Sequence, residues 1–392
     1  MWTHQVLNNE SGRRRPSGFQ GLSRQSTLDR DATDLGPIPG SAEAGPRRSR
    51  IGSSRVSLWN RRRIGLLVLG VIVLPLLPIL GSERDATPTR WARGVGDAQT
   101  LAFAFAPDGE TIATIQMDRR VALRDAAGGG GITAFLDYPG YAWAVAYSPD
   151  GRTLAVGGGA PDILLYDLRA GGAGHPLGMP IREVKALVFS PDGRTLAASS
   201  YLHREILLWD LAAGREHARL RGHASPVLRL AFAPDGRSLA SGGMSDQTIL
   251  LWDLATGRPG RRLSVPPGPV QSLAYSPDGG WLASTSHPEG PVRLWDVKAG
   301  HSVRLLGSHA NTRNSVAFSP DGRLLATASG DGIVRLWSLA TGAKLRQVGG
   351  SAERLVGVAF APDGKMLAAT GYDDDIRLWD LAELFGEPKS AA

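Results

Sequence analysis

Two groups of residues in this chain combine the side chains that a hydrolase uses: a histidine, a hydroxyl and a carboxylate. The first group is His223, Ser241, Asp246 and the tryptophan that follows them, Trp252; the second is His309, Thr327, Asp331 and Trp337. Such side chains form a nucleophile, a general base and an orienting acid where they meet in space. The combination occurs twice, and neither hydroxyl lies in the strand-to-helix G-x-S-x-G turn that exposes a nucleophile. We therefore expect both groups to be structural.

No other motif predicts catalysis, a metal or a cofactor. Motifs of the GxxxxGK[ST] and HExxH types are absent, and the chain has no Cys, which excludes thiolate metal sites and cysteine nucleophiles. The eight His form no metal-spaced pair, and the acidic run at 373–375 lacks the other ligands of a Ca²⁺ loop. We predict that the protein is not an enzyme and holds neither metal nor cofactor.

The elements that position these residues follow from an internal repeat. The tripeptide Pro-Asp-Gly recurs at intervals of 42 or 43 residues, beginning at Pro107, Pro149, Pro191, Pro234, Pro277, Pro320 and Pro362. Pro and Gly suit the second and the closing positions of a tight turn. Alternating apolar runs flank each turn, and a third run ends each copy, as in "ILLWDL". A sheet this small cannot bury its own faces, so the copies must stack on one another.

These copies resemble the WD-repeat (tryptophan–aspartate) β-propeller family over about residues 88–384. The terminal dipeptide is intact at Trp209-Asp210, Trp252-Asp253, Trp295-Asp296 and Trp379-Asp380. It is altered at Tyr166-Asp167 and Trp337-Ser338, and the first copy has Arg124-Asp125. The resemblance implies an all-β, seven-bladed propeller with four-stranded antiparallel blades. It also implies that each His–Ser/Thr–Asp–Trp group is a hydrogen-bond set buried in a blade.

The last copy ends too early to supply its own outer strand. We therefore predict that residues near Thr89–Arg93 complete the seventh sheet and close the ring, which would remove an exposed sheet edge.

The N-terminal part differs in composition from the repeats. Residues 1–60 are rich in Arg, Ser, Gly and Pro and are predicted to be a disordered basic cytoplasmic tail. Residues 61–82 are predicted to be a transmembrane signal anchor, because Ile64 to Leu80 lacks charged or hydrogen-bonding side chains. Arg61–Arg63 flank its N-terminal side, so the positive-inside rule places the propeller domain, 83–392, on the extracytoplasmic (periplasmic) side.

Two alternatives to an anchor stay open for this apolar segment. It could be a signal peptide behind a wrongly chosen start codon, although no clean small-x-small cleavage site follows it. It could also be a buried core helix, although such a helix would show a polar face.

The net charge of +7 resides in the tail. Residues 1–63 carry 12 Arg and 5 acidic residues, whereas the remainder of the chain is balanced. We therefore expect no nucleic-acid partner. The composition and the anchor favour a bacterial membrane-anchored type of propeller, which is a compositional inference.

A partner would be bound by one face of the propeller. This face comprises the entries of the innermost strands and the turns between the second and third strands. The first class contains Tyr141, Trp143, Glu183, Lys185, Gln271, Thr312, Asn314 and Arg354; the second contains Met117, Ser245, Tyr372, Leu202 and Pro288. Trp143 is the strongest candidate, since aromatic side chains dominate the cores of interfaces.

The expected function is a membrane-anchored interaction scaffold that binds a protein or peptide without catalysis. A periplasmic propeller enzyme and a regulatory signalling component are the alternatives. An enzyme would place clustered His, Glu and Arg in the central channel, and the sequence shows no such cluster.

Overall fold

The computed structural model describes residues 90–92, 99–126, 131–171, 173–287, 290–308, 315–349, 354–373 and 375–386. All of them belong to the second of two units, Leu77–Ala392; the first is Met1–Leu76. The predicted tail and the predicted membrane anchor lie outside the described residues and stay predictions. Within the described ranges, no helix has the length and apolar character needed to span a membrane.

The described residues form seven four-stranded antiparallel sheets, which confirms the predicted seven-bladed propeller. Blade 1 consists of β2 (Thr100–Phe105), β3 (Thr111–Gln116), β4 (Arg120–Asp125) and β5 (Ile132–Asp137). Blade 2 consists of β6 (Ala142–Tyr147), β7 (Thr153–Gly158), β8 (Leu164–Asp167) and β9 (His175–Pro176). Blade 3 consists of β10 (Val184–Phe189), β11 (Thr195–Ser200), β12 (Ile206–Asp210) and β13 (Arg215–Leu220). Blade 4 consists of β14 (Val227–Phe232), β15 (Ser238–Gly243), β16 (Thr248–Asp253) and β17 (Arg258–Ser264). Blade 5 consists of β18 (Val270–Tyr275), β19 (Trp281–Ser286), β20 (Pro291–Asp296) and β21 (His301–Ser308). Blade 6 consists of β22 (Ser315–Phe318), β23 (Leu324–Ala328), β24 (Val334–Ser338) and β25 (Lys344–Val348).

Blade 7 is assembled from both ends of the described chain. Its strands are β26 (Leu355–Phe360), β27 (Met366–Gly371), β28 (Ile376–Asp380) and, on the outside, β1 (Arg90–Ala92). β1 runs antiparallel to β28, with Trp91 opposite Arg377. The predicted closing strand is therefore confirmed. A short helix, α1 (Leu381–Phe385), follows β28 and is capped by the Asp380 carboxylate, which accepts from the Ala382 and Glu383 N–H groups.

The innermost strands of successive blades contact one another around the ring, and β26 contacts β2 where it closes. Each of the seven interfaces between blades contains one hydrophobic cluster of the described residues. In blade 4, Leu239, Leu250 and Trp252 pack against Ile206 and Leu208 of blade 3. The apolar faces of each sheet are thus buried by its neighbours, as the repeat requires.

Small residues in the second strands let the blades approach closely. A Cβ on Gly242 would lie 2.5 Å from Val270 Cγ1 in the next blade, so only glycine fits at this position. The Pro-Asp-Gly turns also meet around the ring. Gly109, with φ +76°, faces Pro362 of blade 7, and a Cβ there would lie 3.5 Å from Pro362 Cδ. The turns therefore link each blade to the previous one, including across the closure.

Candidate functional site

The two classes of face position lie at the same end of the blades. In blade 3, the Tyr201 N–H donates to the Glu183 carbonyl at 2.9 Å; in blade 7, the Tyr372 N–H donates to the Arg354 carbonyl at 3.1 Å. Each bond joins the turn after the second strand to the entry of the innermost strand. We call this surface the entry face; the Pro-Asp-Gly turns are at the other end of the strands.

Aromatic and cationic side chains of blades 1 to 3 interleave on the entry face. Lys185 Nζ lies 4.4 Å from the centroid of the Trp143 ring and 5.7 Å from that of Tyr201. The Arg119 guanidinium lies 5.5 Å from the Tyr141 ring centroid. We refer to these five residues as the aromatic–cationic cluster. Tyr141 is 50% exposed and Tyr201 is 42% exposed, whereas Trp143 is half-buried.

Cation–π contacts hold these rings and charges in place before any partner arrives. Trp143 therefore has a contact in the free protein, with Lys185 of the neighbouring blade. Two apolar residues predicted for this face lie in the same turns as cluster members: Met117 (45% exposed) is two residues before Arg119, and Leu202 (60% exposed) directly follows Tyr201. The result is an exposed surface that offers aromatic rings, apolar side chains and positive charge together.

The remaining predicted positions are spread around the face. Arg354 and Ser245 are exposed, and the Ser245 N–H donates to Ser225 Oγ at 3.0 Å; Glu183, Gln271 and Tyr372 are half-buried. Thr312, Asn314 and Pro288 lie outside the described residues. The structure thus brings Tyr141, Trp143 and Lys185 together, while Gln271, Arg354 and Tyr372 belong to blades 5 and 7.

Sequence reasoning missed Arg119 and Tyr201. Arg119 precedes β4 in the left-handed backbone region, with φ 71°, in the turn that follows Asp118. Tyr201 follows β11 and directly precedes Leu202, which was predicted in its place. The signal that could have found both is their position in the turn between the second and third strands.

The innermost strands of all seven blades surround a central cavity of about 270 Å³. Trp143, Lys185, Arg229 and Gln271 line it together with Ser272, Ser315 and apolar residues. The Arg229 guanidinium donates through Nε to the Gln271 carbonyl at 2.5 Å and through Nη1 to the Leu228 carbonyl at 2.8 Å. The aromatic–cationic cluster therefore continues into the centre of the ring.

The first hydrogen-bond set is complete in blade 4. His223 joins Asp246 Oδ2 through Nδ1 at 2.7 Å and Ser241 Oγ through Nε2 at 2.6 Å, and Trp252 Nε1 donates to Ser241 Oγ at 2.7 Å. The His223 side chain and Ser241 are fully buried. A substrate cannot reach Ser241 Oγ, so this triad-like geometry positions the tryptophan and the turn.

The environment of Asp246 keeps its carboxylate ionised. Burial by itself raises the pKa of this carboxyl, but the hydrogen bond and charge of His223, with the Ala224 N–H, bring its pKa down from 3.8 to about 2. The carboxylate also fixes the histidine, since an ionised Asp can only accept the Nδ1–H.

The second set is only partly described, because His309 lies outside the described residues. Trp337 Nε1 donates to Thr327 Oγ1 at 2.9 Å, and Asp331 forms a 2.8 Å ion pair with Arg335. In blade 7, Asp373 makes the equivalent pair with Arg377. The sequence-based reasoning assigned Asp373 to the turn and did not foresee that an arginine four residues later would bind its carboxylate.

Comparison with known proteins identifies a related domain. A family model described as the IFT122 first beta-propeller matches residues 183–384, which is just over half of the chain. The matched segment begins at the entry of blade 3 and ends in α1. No curated protein matches the chain.

Proposed function

We propose that this chain, which belongs to the IFT122 first beta-propeller family, is a membrane-anchored scaffold that binds a protein or peptide partner through its entry face. The anchor is the apolar segment within residues 61–82, and the positive-inside rule supports a periplasmic propeller. The binding role rests on the aromatic–cationic cluster and involves no catalysis.

The composition of the cluster supports binding. Interfaces draw most of their affinity from a few aromatic and arginine residues that are surrounded by other contacts. Tyr141 and Tyr201 are about half exposed on the entry face, and Met117 and Leu202 are exposed in the turns that carry Arg119 and Tyr201. A monomeric surface rarely keeps such side chains together without a use. Because the cluster stands on strand entries and on tight turns between strands, the binding of a partner would cost little backbone entropy.

A pull-down with the detergent-solubilised full chain as bait tests the binding role. The double variant Tyr141→Ala/Trp143→Ala should lose the captured partner. The matched control is Phe135→Ala, since Phe135 on β5 is also exposed and also lies under a guanidinium, that of Arg120, at 5.2 Å. The control should capture the partner as the wild type does.

Two results would contradict this role. Undiminished capture by the double variant would exclude the cluster, and equal loss with Phe135→Ala would show a non-specific effect of removing an exposed ring. If the double variant melts at a much lower temperature, Tyr141→Ala alone provides the test, because Tyr141 is half exposed.

The anchor and the topology are tested separately. A reporter that is active only in the cytoplasm should work when fused before residue 60 and fail when fused after residue 385. The opposite pattern would overturn the proposed orientation.

A further inference from the structure

The described lining of the central cavity is positively charged. Among the described residues that line it, Lys185 and Arg229 are cationic and none is a carboxylate. The other polar lining residues are Gln271, Ser272 and Ser315, whose amide and hydroxyl groups can donate hydrogen bonds. The described lining therefore offers positive charge and donors to a negative group.

Both cations are held in place. Lys185 lies against the rings of Trp143 and Tyr201, and the Arg229 guanidinium is fixed by two backbone carbonyls. A charge that is already positioned loses little side-chain entropy when a ligand binds. It also acts more strongly in a half-enclosed site between protein walls than on an open surface.

The nearby charges on the entry face are mixed in sign, but none of the described acidic residues lines the cavity. Arg119 and Arg354 add positive charge at its edge, and Asp246 is paired with His223 inside blade 4. Glu183 is the acidic residue at the entry of blade 3, two residues before Lys185, and it does not line the cavity.

We propose that the cavity is an anion site and that the partner is an acidic peptide segment. One of its carboxylates would enter the cavity beside Lys185 and Arg229, while an adjacent aromatic or aliphatic side chain would cover Tyr141 and Tyr201. At about 270 Å³, the cavity is just below the roughly 300–1,000 Å³ of cofactor and drug pockets, which suits a single side chain. This inference rests on the proposed function of the entry face.

Two fluorescein-labelled peptides, AELEYEA and its amide counterpart AQLQYQA, test the proposal with the full chain in detergent. Fluorescence anisotropy should show that the acidic peptide binds about tenfold or more tightly than the amide peptide. The variant Lys185→Gln should lose most of that preference. Arg354→Gln is the matched control, because Arg354 is exposed on the same face and does not line the cavity; it should shift the affinity by no more than about twofold.

Several outcomes would overturn the anion site. These are equal binding of the two peptides, no binding of the acidic peptide up to millimolar protein, or an unchanged preference in Lys185→Gln. If that variant does not fold, the comparison of the two peptides on the wild type decides alone. Displacement of the acidic peptide by inorganic phosphate at equal concentration would also overturn the peptide assignment.

Failure here is distinguishable from failure of the proposed function. If Tyr141→Ala/Trp143→Ala loses the captured partner while the acidic peptide shows no preference, the entry face binds a partner of different chemistry.

Discussion

The hydroxyl of Ser241 is shared by two buried groups, so its removal has a cost that can be worked out from the structure. Trp252 Nε1 donates to it at 2.7 Å, and it contacts His223 Nε2 at 2.6 Å. Because His223 Nδ1 donates to the Asp246 carboxylate, Nε2 is the remaining polar atom of the ring, and the serine hydroxyl is its partner. Ser241→Ala would leave both the indole N–H and Nε2 without a partner.

Each buried polar group left without a hydrogen bond costs about 1–3 kcal/mol, so the variant, which leaves two such groups, should lose about 2–6 kcal/mol of unfolding free energy. Ser284→Ala is the matched control. Ser284 has the same register opposite the third strand of blade 5, is fully buried, and bonds the Trp295 indole at 2.8 Å without a histidine. Since one group is left unpaired there instead of two, its cost should be about half as large, about 1–3 kcal/mol.

Urea unfolding of the full chain in detergent, followed by circular dichroism, measures both losses. Ser241→Ala should unfold at a clearly lower urea concentration than Ser284→Ala, with similar slopes. Equal midpoints for the two variants, or a higher midpoint for Ser241→Ala, would refute the shared-hydroxyl account.

Three further predictions follow from the same structure. Ala198 in blade 3 occupies the position that Ser241 has in blade 4, and the Trp209 indole N–H has no hydrogen-bond partner among the described residues. Ala198→Ser would supply a partner, so urea titrations should show an unfolding free energy that is higher by about 1 kcal/mol. The pKa of Asp246 is lower in the folded state than the usual 3.8, so the ionised carboxylate contributes about 2 kcal/mol of stability above pH 4, and this contribution is lost as the pH falls towards 2. Asp246→Asn should therefore be less stable than the wild type at pH 6, and its unfolding free energy should fall less steeply between pH 4 and pH 2. Arg261 Nη1 donates to the Ala299 carbonyl of blade 5 at 2.9 Å, so Arg261→Ala should lower the unfolding free energy by about 1 kcal/mol, and the exposed neighbour Arg262→Ala should leave the melting temperature unchanged.

The architecture was predictable because the repeat carries it. Seven Pro-Asp-Gly turns at a constant period predict seven sheets, and the missing outer strand of the last sheet predicts the closure that β1 provides. The blade 4 residues His223, Ser241, Asp246 and Trp252 meet in the order that the family resemblance implies. These features depend on local turn chemistry and on the alternation of apolar residues, both of which are visible in a single sequence.

Contacts between blades could not be predicted in the same way. Trp143 and Lys185 are 42 residues apart, one period, so they stand at equivalent positions in neighbouring blades; that their side chains stack depends on rotamers and on the spacing of the blades. Three arginines illustrate the same limit. Arg261, Arg304 and Arg346 share one register in three consecutive outer strands, and each donates to a carbonyl that follows the third strand of the next blade.

The most direct test of the binding role is photo-crosslinking at the entry face in intact cells. A benzophenone amino acid would replace Tyr141, which is exposed in the aromatic–cationic cluster, or Arg237, which is exposed beside a Pro-Asp-Gly turn at the other end of blade 4. Irradiation should yield a discrete adduct with a second protein from position 141 and none from position 237. An adduct from position 237 alone, or none from position 141 while the folded protein is present, would contradict the account.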